Sequence, residues 1–251
     1  MKYLGVIPAR WGSSRLPGKP LADIGGMSMI ERVYRRASSV LSDVIVATDD
    51  VRVYDEVVRF GGRVVITSPL APTGTARVYE AYTAVGADAD VVINIQGDEP
   101  FIDPEQIRLL MSAFENKDVA IATLARRFNP DEGWDALFSP DTPKVVMNSR
   151  NEAMYFSRSI IPYVRGVRWE DWIHSTDFYL HIGLYGYKAD VLAELVNLTD
   201  PAIRMAESLE QLAWLHAGIP IKVMITDAVT IGVDTQADLQ RAIEYCKNNN
   251  D

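Results

Sequence analysis

The sequence has a single cysteine, Cys246, and no long apolar run. One cysteine excludes an internal disulfide and any metal site built from several thiolates, and it favours a reducing compartment. No apolar run approaches the roughly 18 residues that cross a bilayer. The segment Met1–Pro8 is too short and too soon interrupted to predict a signal peptide, and it predicts a first strand instead. We therefore expect a cytoplasmic protein that does not enter membranes.

Basic charge is scarce overall but concentrated at the start of the chain. The sequence has 25 Lys and Arg against 34 Asp and Glu, a net charge of -9, which disfavours long nucleic acids and anionic membranes as partners. No acidic residue precedes Asp23, whereas four basic residues do: Lys2, Arg10, Arg15 and Lys19. This contrast is either chance clustering or the mark of a site for a small polyphosphate.

Short β-branched segments alternate with helical patterns along the 251 residues, and there is no internal repeat. Continuous apolar strands separated by helices predict an α/β fold with a doubly wound, mostly parallel sheet and with sites at the carboxyl ends of the strands. The predicted strands are Tyr3–Ile7, Val44–Ala47, Val64–Ile66, Val91–Ile95, Val119–Leu124, Lys144–Met147, His181–Tyr187 and Ile221–Ile225. The predicted helices are Met29–Ser39, Val51–Phe60, Thr75–Ala84, Pro104–Asn116, Asp190–Leu195, Ala206–His216 and Ala237–Asn248.

One irregular stretch interrupts this alternation. From Phe128 to Asp177 the sequence is rich in Pro, Trp, Asp and Arg. We predict a single domain over residues 1–251, with a small inserted lobe or dimerisation region at about residues 128–190.

The loop after the first predicted strand has the composition of an anion-binding loop. Its small residues let backbone N–H groups approach phosphate oxygens, and Arg10 and Lys19 supply charge. It contains neither the Gly-x-x-x-x-Gly-Lys-Ser/Thr phosphate loop nor the Gly-x-Gly-x-x-Gly dinucleotide fingerprint. From the residues alone, it is either a nucleotide-binding loop or an ordinary surface loop.

The same loop carries a family resemblance. Ile7–Arg10 followed by Ser14–Leu21 resembles the signature of sugar nucleotidyltransferases, and the later motifs, taken in order, resemble the 3-deoxy-manno-octulosonate (Kdo) cytidylyltransferases almost from end to end. The resemblance implies a nucleotide-diphospho-sugar transferase-like, Rossmann-like fold. It also implies a homodimeric enzyme that couples CTP and Kdo to CMP-Kdo and pyrophosphate for lipopolysaccharide biosynthesis. The later motifs are Val46–Asp49, Gly74–Thr75, Asn94–Pro100, Tyr155–Arg158, His181–Tyr187, Glu207–Leu212 and Gly232–Thr235.

Two aspartates follow apolar segments, where parallel strands would end. Asp98 follows Val91–Ile95, and Asp234 follows Ala228–Val233. From the residues alone, Asp98 is either a ligand or a turn residue before a proline, and Asp234 is either a ligand or part of a helix cap next to a possible Thr235–Asp238 capping box. The resemblance implies that both bind Mg²⁺, which prefers oxygen ligands and substrate phosphates.

The resemblance also assigns the remaining site residues. It implies catalytic roles for Arg10, Lys19, Asp98 and Asp234, and a sugar-binding cation at Arg158. Thr73 and Ala76 depart from the family's usual serine and acidic residue beside Gly74–Thr75. We expect Glu207, Glu210 and Gln211, at i, i+3 and i+4, to share one helical face. The implied nucleotide-binding residues are Pro8, Ala9, Arg10, Ser13, Ser14, Lys19, Gly74, Thr75, Arg77, Gln96 and Asp98. The implied sugar-binding residues are Gln96, Arg158, His181, Tyr185, Glu207, Glu210 and Gln211.

Three alternatives remain open at this point. A cytidylyltransferase for a related acidic sugar, 8-amino-Kdo or sialic acid, would share nearly every motif. A nicotinamide-dependent oxidoreductase would share the sheet topology, but the missing glycine fingerprint argues against it. A catalytically silent homologue is disfavoured because the four catalytic candidates are all present.

Overall fold

The computed structural model describes residues 1–12, 15–229 and 231–249. In that part of the chain the strands are β1 (Tyr3–Pro8), β2 (Asp23–Ile24), β3 (Met27–Ser28), β4 (Val44–Thr48), β5 (Val64–Ile66), β6 (Val91–Asn94), β7 (Ile121–Arg127), β8 (Lys144–Met147), β9 (Ala153–Ser157), β10 (Tyr179–Lys188) and β11 (Ile221–Ile225). The α-helices are α1 (Met29–Ser38), α2 (Val51–Arg59), α3 (Gly74–Val85), α4 (Pro104–Ser112), α5 (Asp135–Phe138), α6 (Ala189–Leu195), α7 (Ala202–Glu207), α8 (Gln211–His216) and α9 (Gln236–Asn249).

The first of two compact units consists of Met1–Arg108, Gly186–Val196 and Thr230–Asp251. Its strands β6, β1, β4 and β5 lie side by side in that order, and all three pairings are parallel. Nearly every residue of β1, β4 and β6 is buried, as expected when a parallel sheet is covered on both faces. The continuous apolar runs of the sequence therefore predicted these strands and their parallel pairing correctly.

Polar side chains begin the helices of this unit. Ser28 accepts a hydrogen bond from the Glu31 N–H at the start of α1, and Asp50 accepts one from the Arg52 N–H at the start of α2. Thr73 does the same for α3. These caps satisfy N–H groups that have no partner within a helix. The hydroxyl of Thr73 thus performs the role that a serine would perform at this departure from the family pattern.

The second unit consists of Leu109–Tyr185 and Asn197–Val229. β11 runs parallel to β7, and β8 pairs antiparallel with both β9 and β10. A small core beside them contains Phe128, Leu137, Phe178 and Leu180. The irregular stretch of the sequence therefore contains its own β-hairpin, β8–β9, of which the strand prediction included only β8.

The predicted helix Ala206–His216 is wrong. The structure has two short helices there, α7 and α8, with Ser208 at φ 51° in the left-handed region that ends α7. The Arg158 side chain donates hydrogen bonds to the carbonyl oxygens of Glu207 and Ser208. Tertiary hydrogen bonds therefore replace those that would continue the helix.

The unit boundaries differ from the domain limits expected from the sequence. We predicted one domain with a lobe at about residues 128–190, whereas the second unit also takes in the segment from Leu109 and the segment Asn197–Val229.

None of the helices in the described part of the chain is long and apolar enough to cross a membrane.

Candidate active site

A lysine joins the two predicted metal ligands in the first unit. The Lys19 ammonium lies 2.8 Å from Asp98 Oδ2 and 2.9 Å from Asp234 Oδ1. The Arg15 guanidinium lies 3.1 Å from the other oxygen of Asp234. Burial by itself lowers the pKa of Lys19, but the two carboxylates outweigh it and hold that pKa above its ordinary value. Residues far apart in the sequence thus converge on one position for a cation.

Close backbone contacts fix Asp98 in this cluster. Gly97 follows the end of β6, and a Cβ at this position would lie 2.7 Å from the carbonyl oxygen of Pro8. Only glycine lets the segment pass so close to the end of β1. The Asp98 carbonyl then accepts a 2.9 Å hydrogen bond from the N–H of Val233, the residue before Asp234. This hydrogen bond therefore holds together the two backbone segments that carry the Asp98 and Asp234 carboxylates.

Asp234 is not the residue that caps α9. The carboxylate of Asp238 accepts hydrogen bonds from the backbone N–H and the hydroxyl of Thr235, while the Asp238 N–H donates to that hydroxyl. This is the reciprocal capping box that the sequence allowed. Because Thr235 and Asp238 satisfy the helix start, the Asp234 side chain is directed to Lys19 instead. The segment before it, predicted as apolar and strand-like, forms no strand among its described residues.

The chemistry of this donor set fits a magnesium ion. Asp98 and Asp234 offer hard oxygen ligands, and their side chains are 33% and 49% exposed. No cluster of three or more His, Cys, Asp or Glu suited to a metal occurs within residues 1–12, 15–229 and 231–249. Mg²⁺ is commonly held by one or two carboxylates with phosphates and water. Two carboxylates beside a polyphosphate are therefore a sufficient set.

Glu99 is chemically distinct from its neighbour. Its Oε2 atom is buried and has no hydrogen-bond partner among the described residues. Burial, followed by the nearby charge of Asp98, raises the pKa of Glu99 to about 8. A carboxyl group that holds its proton at neutral pH is a poor metal ligand. Of these two neighbours, Asp98 is therefore the better candidate to bind a cation.

Arg77 is buried and directed into the protein. Its guanidinium donates to the Thr67 hydroxyl at 2.6 Å and lies 3.1 Å from Asp49 Oδ2. The other oxygen of Asp49 accepts the Trp11 backbone N–H at 3.2 Å. In this geometry Arg77 supports the loop after β1 through Asp49. Direct contact of Arg77 with a nucleotide stays a prediction.

The other predicted nucleotide contacts lie at the same end of the parallel strands. Pro8 ends β1, the Ala9 N–H donates to the Ala47 carbonyl, and Arg10 is exposed. Ser13 and Ser14 lie outside the described residues. Gly74 and Thr75 open α3, and Gln96 follows β6.

Glu207 is the centre of a second cluster, in the second unit. Its carboxylate accepts hydrogen bonds from the Ser157 hydroxyl at 2.7 Å, the Arg158 N–H at 2.9 Å and the Tyr155 hydroxyl at 3.3 Å. Burial by itself raises the pKa of Glu207, but these donors outweigh it and keep the pKa below its ordinary value. Glu207 is thus an ionised group held at the end of β9.

Backbone carbonyl groups hold the predicted sugar-binding cation. Arg158 donates from Nε to the Glu207 carbonyl at 2.6 Å and from Nη1 to the Pro140 carbonyl at 2.8 Å. Its own carbonyl accepts from the ammonium of Lys144 at 2.7 Å. Arg158 is therefore fixed in position by backbone carbonyl groups.

Lys144 supports this arrangement and was not singled out from the sequence. It is fully buried in β8, and its ammonium donates to the carbonyls of Ser139, Thr142 and Arg158 at 2.7–2.9 Å. Burial, the largest effect, lowers the pKa of Lys144 to about 8. The sequence gives one signal for it, a lysine inside a short apolar strand.

Two further sugar-binding candidates have their rings in contact at a tilted angle. The rings of His181 and Tyr185 have their centroids 5.4 Å apart. Phe156 contacts the other side of His181, and Trp214 contacts Tyr185 edge to face. The structure thus brings the rings of His181 and Tyr185 together on β10.

Glu210 and Gln211 do not share a helical face with Glu207. Glu207 ends α7, whereas Glu210 precedes α8 and Gln211 begins it. The Gln211 side chain is buried, and its Nε2 has no hydrogen-bond partner among the described residues. The i, i+3, i+4 expectation is therefore wrong, but it leaves a buried amide donor at the start of α8.

Comparisons with known proteins agree with this geometry. A family model described as cytidylyltransferase matches residues 4–223. The 3-deoxy-manno-octulosonate cytidylyltransferases of Parabacteroides distasonis and Bacteroides thetaiotaomicron are 53% and 50% identical to the chain, over 99% of each protein. A solved structure of CMP:2-keto-3-deoxy-manno-octonic acid synthetase complexed with CTP is 41% identical, with a TM-score of 0.90 over 99% of both chains. These matches confirm the predicted α/β fold class, and they show that the chain belongs to the 3-deoxy-manno-octulosonate cytidylyltransferase family.

Proposed function

We propose that this protein couples CTP and Kdo to CMP-Kdo and pyrophosphate, in the service of lipopolysaccharide biosynthesis. The observation that carries the proposal is the convergence of Asp98, Asp234 and Lys19 beside the loop after β1. The similar structure solved with CTP supports the nucleotide, and the names of the curated relatives support the sugar.

The reaction is a substitution at phosphorus. The anomeric hydroxyl oxygen of Kdo forms a bond to the α-phosphorus of CTP, the bond from that phosphorus to the bridging oxygen breaks, and pyrophosphate leaves. The hydroxyl proton passes to solvent. Such transfers depend mainly on positioning and on neutralising charge. Arg10 and Lys19 would stabilise the charge that develops on the leaving pyrophosphate.

Asp98 and Asp234 are the residues that would hold Mg²⁺. The bound ion would supply charge neutralisation for phosphate oxygens and lower the pKa of a coordinated hydroxyl. The nucleotide would be bound by the loop after β1, by the start of α3 at Gly74–Thr75, and by Gln96.

The second unit supplies the candidate contacts for the sugar acid. Arg158 is a fixed cation suited to its carboxylate. His181, Tyr185 and Gln211, together with Glu207 and Glu210, offer hydrogen-bonding groups for its hydroxyls. A binding site that uses several polar groups to hydrogen-bond one sugar discriminates strongly against analogues that leave those groups unpaired.

A pyrophosphate-release assay tests the proposal. Purified protein receives CTP and Mg²⁺ with Kdo, 8-amino-Kdo, sialic acid or no sugar. We expect release with Kdo and its loss on chelation. Release only with a different sugar acid would support the proposed reaction but change the identity of the sugar substrate. CTP binding without pyrophosphate release in any arm would indicate a silent homologue.

We further propose a homodimer that works in the cytoplasm. The second unit has large apolar side chains that are more than half exposed, among them Met154, Tyr163 and Met205, and such side chains are enriched where a second copy binds. The single cysteine, Cys246, is buried and forms no disulfide, which suits a reducing compartment. Light scattering would measure the mass in solution, and the mass of a monomer would contradict the proposed homodimer.

A further inference from the structure

A buried threonine of β7 contacts His181. The Thr123 side chain is fully buried. Its hydroxyl oxygen lies 2.9 Å from the Leu184 carbonyl oxygen, 3.2 Å from the Ile182 carbonyl oxygen and 3.1 Å from Nε2 of His181. No sequence pattern pointed to Thr123, because this residue lies inside an apolar strand and outside every motif of the family resemblance.

The hydroxyl hydrogen can be assigned from its neighbours. A threonine hydroxyl has one hydrogen to donate and lone pairs that accept. Carbonyl oxygens only accept, and two of them face this hydroxyl. The hydrogen therefore points to the carbonyls, with the shorter contact to Leu184, and a lone pair faces the imidazole. That lone pair needs a donor, so Nε2 of His181 carries a proton.

The other ring nitrogen of His181 is then an acceptor. Packing between Phe156 and Tyr185 places the imidazole in apolar surroundings, and burial lowers the pKa of His181 to about 3. A neutral imidazole has one ring proton, here on Nε2, which leaves Nδ1 without one. The described residues supply no hydrogen-bond partner to Nδ1 of His181.

We propose that Thr123 is a positioning residue that fixes His181 as its Nε2–H tautomer, so that Nδ1 accepts a hydrogen bond from a hydroxyl group of the sugar acid. This inference rests on the proposed function for the identity of the ligand. An acceptor in this place repels a carboxylate, which has no hydrogen to donate, and therefore helps to orient the sugar with its carboxylate directed elsewhere. His181 thereby contributes to specificity without acting as an acid or a base.

The ring proton can be observed directly by NMR without any ligand. The chain has only three histidines, His174, His181 and His216, so long-range ¹H–¹⁵N correlation spectra resolve each imidazole, and His181→Gln assigns the signal. We expect the Nε2–H pattern for His181 in the wild type and in Thr123→Ser, which keeps the hydroxyl. Thr123→Val, of nearly the same shape, should lose this pattern while the signals of His174 and His216 stay in place. An Nδ1–H pattern in the wild type would overturn the proposal even if the valine variant did not fold.

Steady-state kinetics then test the link to the sugar. Loss of one hydrogen bond of this kind corresponds to about 1 kcal/mol, or roughly a fivefold change. We expect Thr123→Val to raise the KM for Kdo about fivefold, with kcat and the KM for CTP nearly unchanged and with Thr123→Ser close to the wild type. An unchanged KM for Kdo in Thr123→Val would overturn the role in recognition. Absence of turnover by the wild type with Kdo would instead defeat the proposed function and the identity of the ligand, while the spectra would still decide the tautomer.

Discussion

Two lysines, one in each unit, are held in opposite ways. Lys19 contacts the carboxylates of Asp98 and Asp234, and 14% of its side chain is exposed. Lys144 is fully buried and contacts three backbone carbonyls. The partners of Lys19 are charged side chains that can exchange one cation for another. Those of Lys144 are neutral dipoles fixed by the fold.

The pKa values follow from this difference. For Lys19 the negative charges outweigh burial and raise the pKa, whereas for Lys144 burial dominates and lowers it to about 8. A cation among carboxylates near the surface suits a site that binds phosphate and metal. A cation among carbonyls in the interior suits the support of another residue, here Arg158. Variants of the first cluster should therefore change activity, and variants of the second should change stability.

The largest effect is expected from Asp234→Asn. Loss of a metal-binding charge removes several kcal/mol of transition-state stabilisation, and kcat should fall about 100-fold to 1,000-fold in pyrophosphate release. Asp238→Asn is the matched control, because this nearby aspartate caps α9 instead. It should cost about 1 kcal/mol of stability and leave kcat near the wild-type value. Equal activity of Asp234→Asn and the wild type would remove Asp234 from the metal site.

Lys19→Met should separate activity from stability. Its partners are 33% and 49% exposed, so solvent screens the lost ion pairs, and urea unfolding should change by no more than about 1 kcal/mol. Turnover should fall about 100-fold, because the leaving pyrophosphate loses a cation. A large loss of stability would show that Lys19 has the architectural role that we assign to Lys144.

Lys144→Met should show the reverse pattern. It leaves the carbonyls of Ser139, Thr142 and Arg158 without their donor, and each unsatisfied buried group carries a penalty. We expect the free energy of unfolding to fall by about 2 kcal/mol or more in urea titrations. The KM for Kdo should rise because Arg158 is no longer fixed, while the KM for CTP changes little. Wild-type stability in this variant would contradict the contrast between the two lysines.

The smallest effect is expected from Glu207→Gln, and its loss of stability relative to the wild type should shrink as the pH falls. The pKa of Glu207 is lower in the folded state than in the unfolded chain. Its stabilisation is therefore complete above the unfolded pKa of about 4.3 and is lost as pH falls through the lower folded value. In urea unfolding at a series of acidic pH values, the free energy of unfolding should fall less steeply with decreasing pH for Glu207→Gln than for the wild type. Parallel acid limbs would show that Glu207 does not have a lowered pKa.

The sequence predicted the first unit better than the second. The strand Val44–Thr48 was predicted to within one residue, because buried parallel strands are continuous apolar runs with clear ends. The helix predicted over Ala206–His216 failed, because its break depends on carbonyls that accept hydrogen bonds from Arg158, about 50 residues away. Periodicity cannot reveal such a contact.

The site divides in the same manner. The sequence by itself determined which residues have the chemistry: the acidic pair Asp98 and Asp234, the cation Lys19, and the motifs that identify the family. Only the tertiary structure decided what each side chain contacts. It showed that the Thr235–Asp238 box leaves Asp234 directed to Lys19, and that the Thr123 hydroxyl contacts His181. Motifs are local in the chain and can be read from it, whereas hydrogen-bond partners and burial arise from long-range contacts that form only when the chain folds.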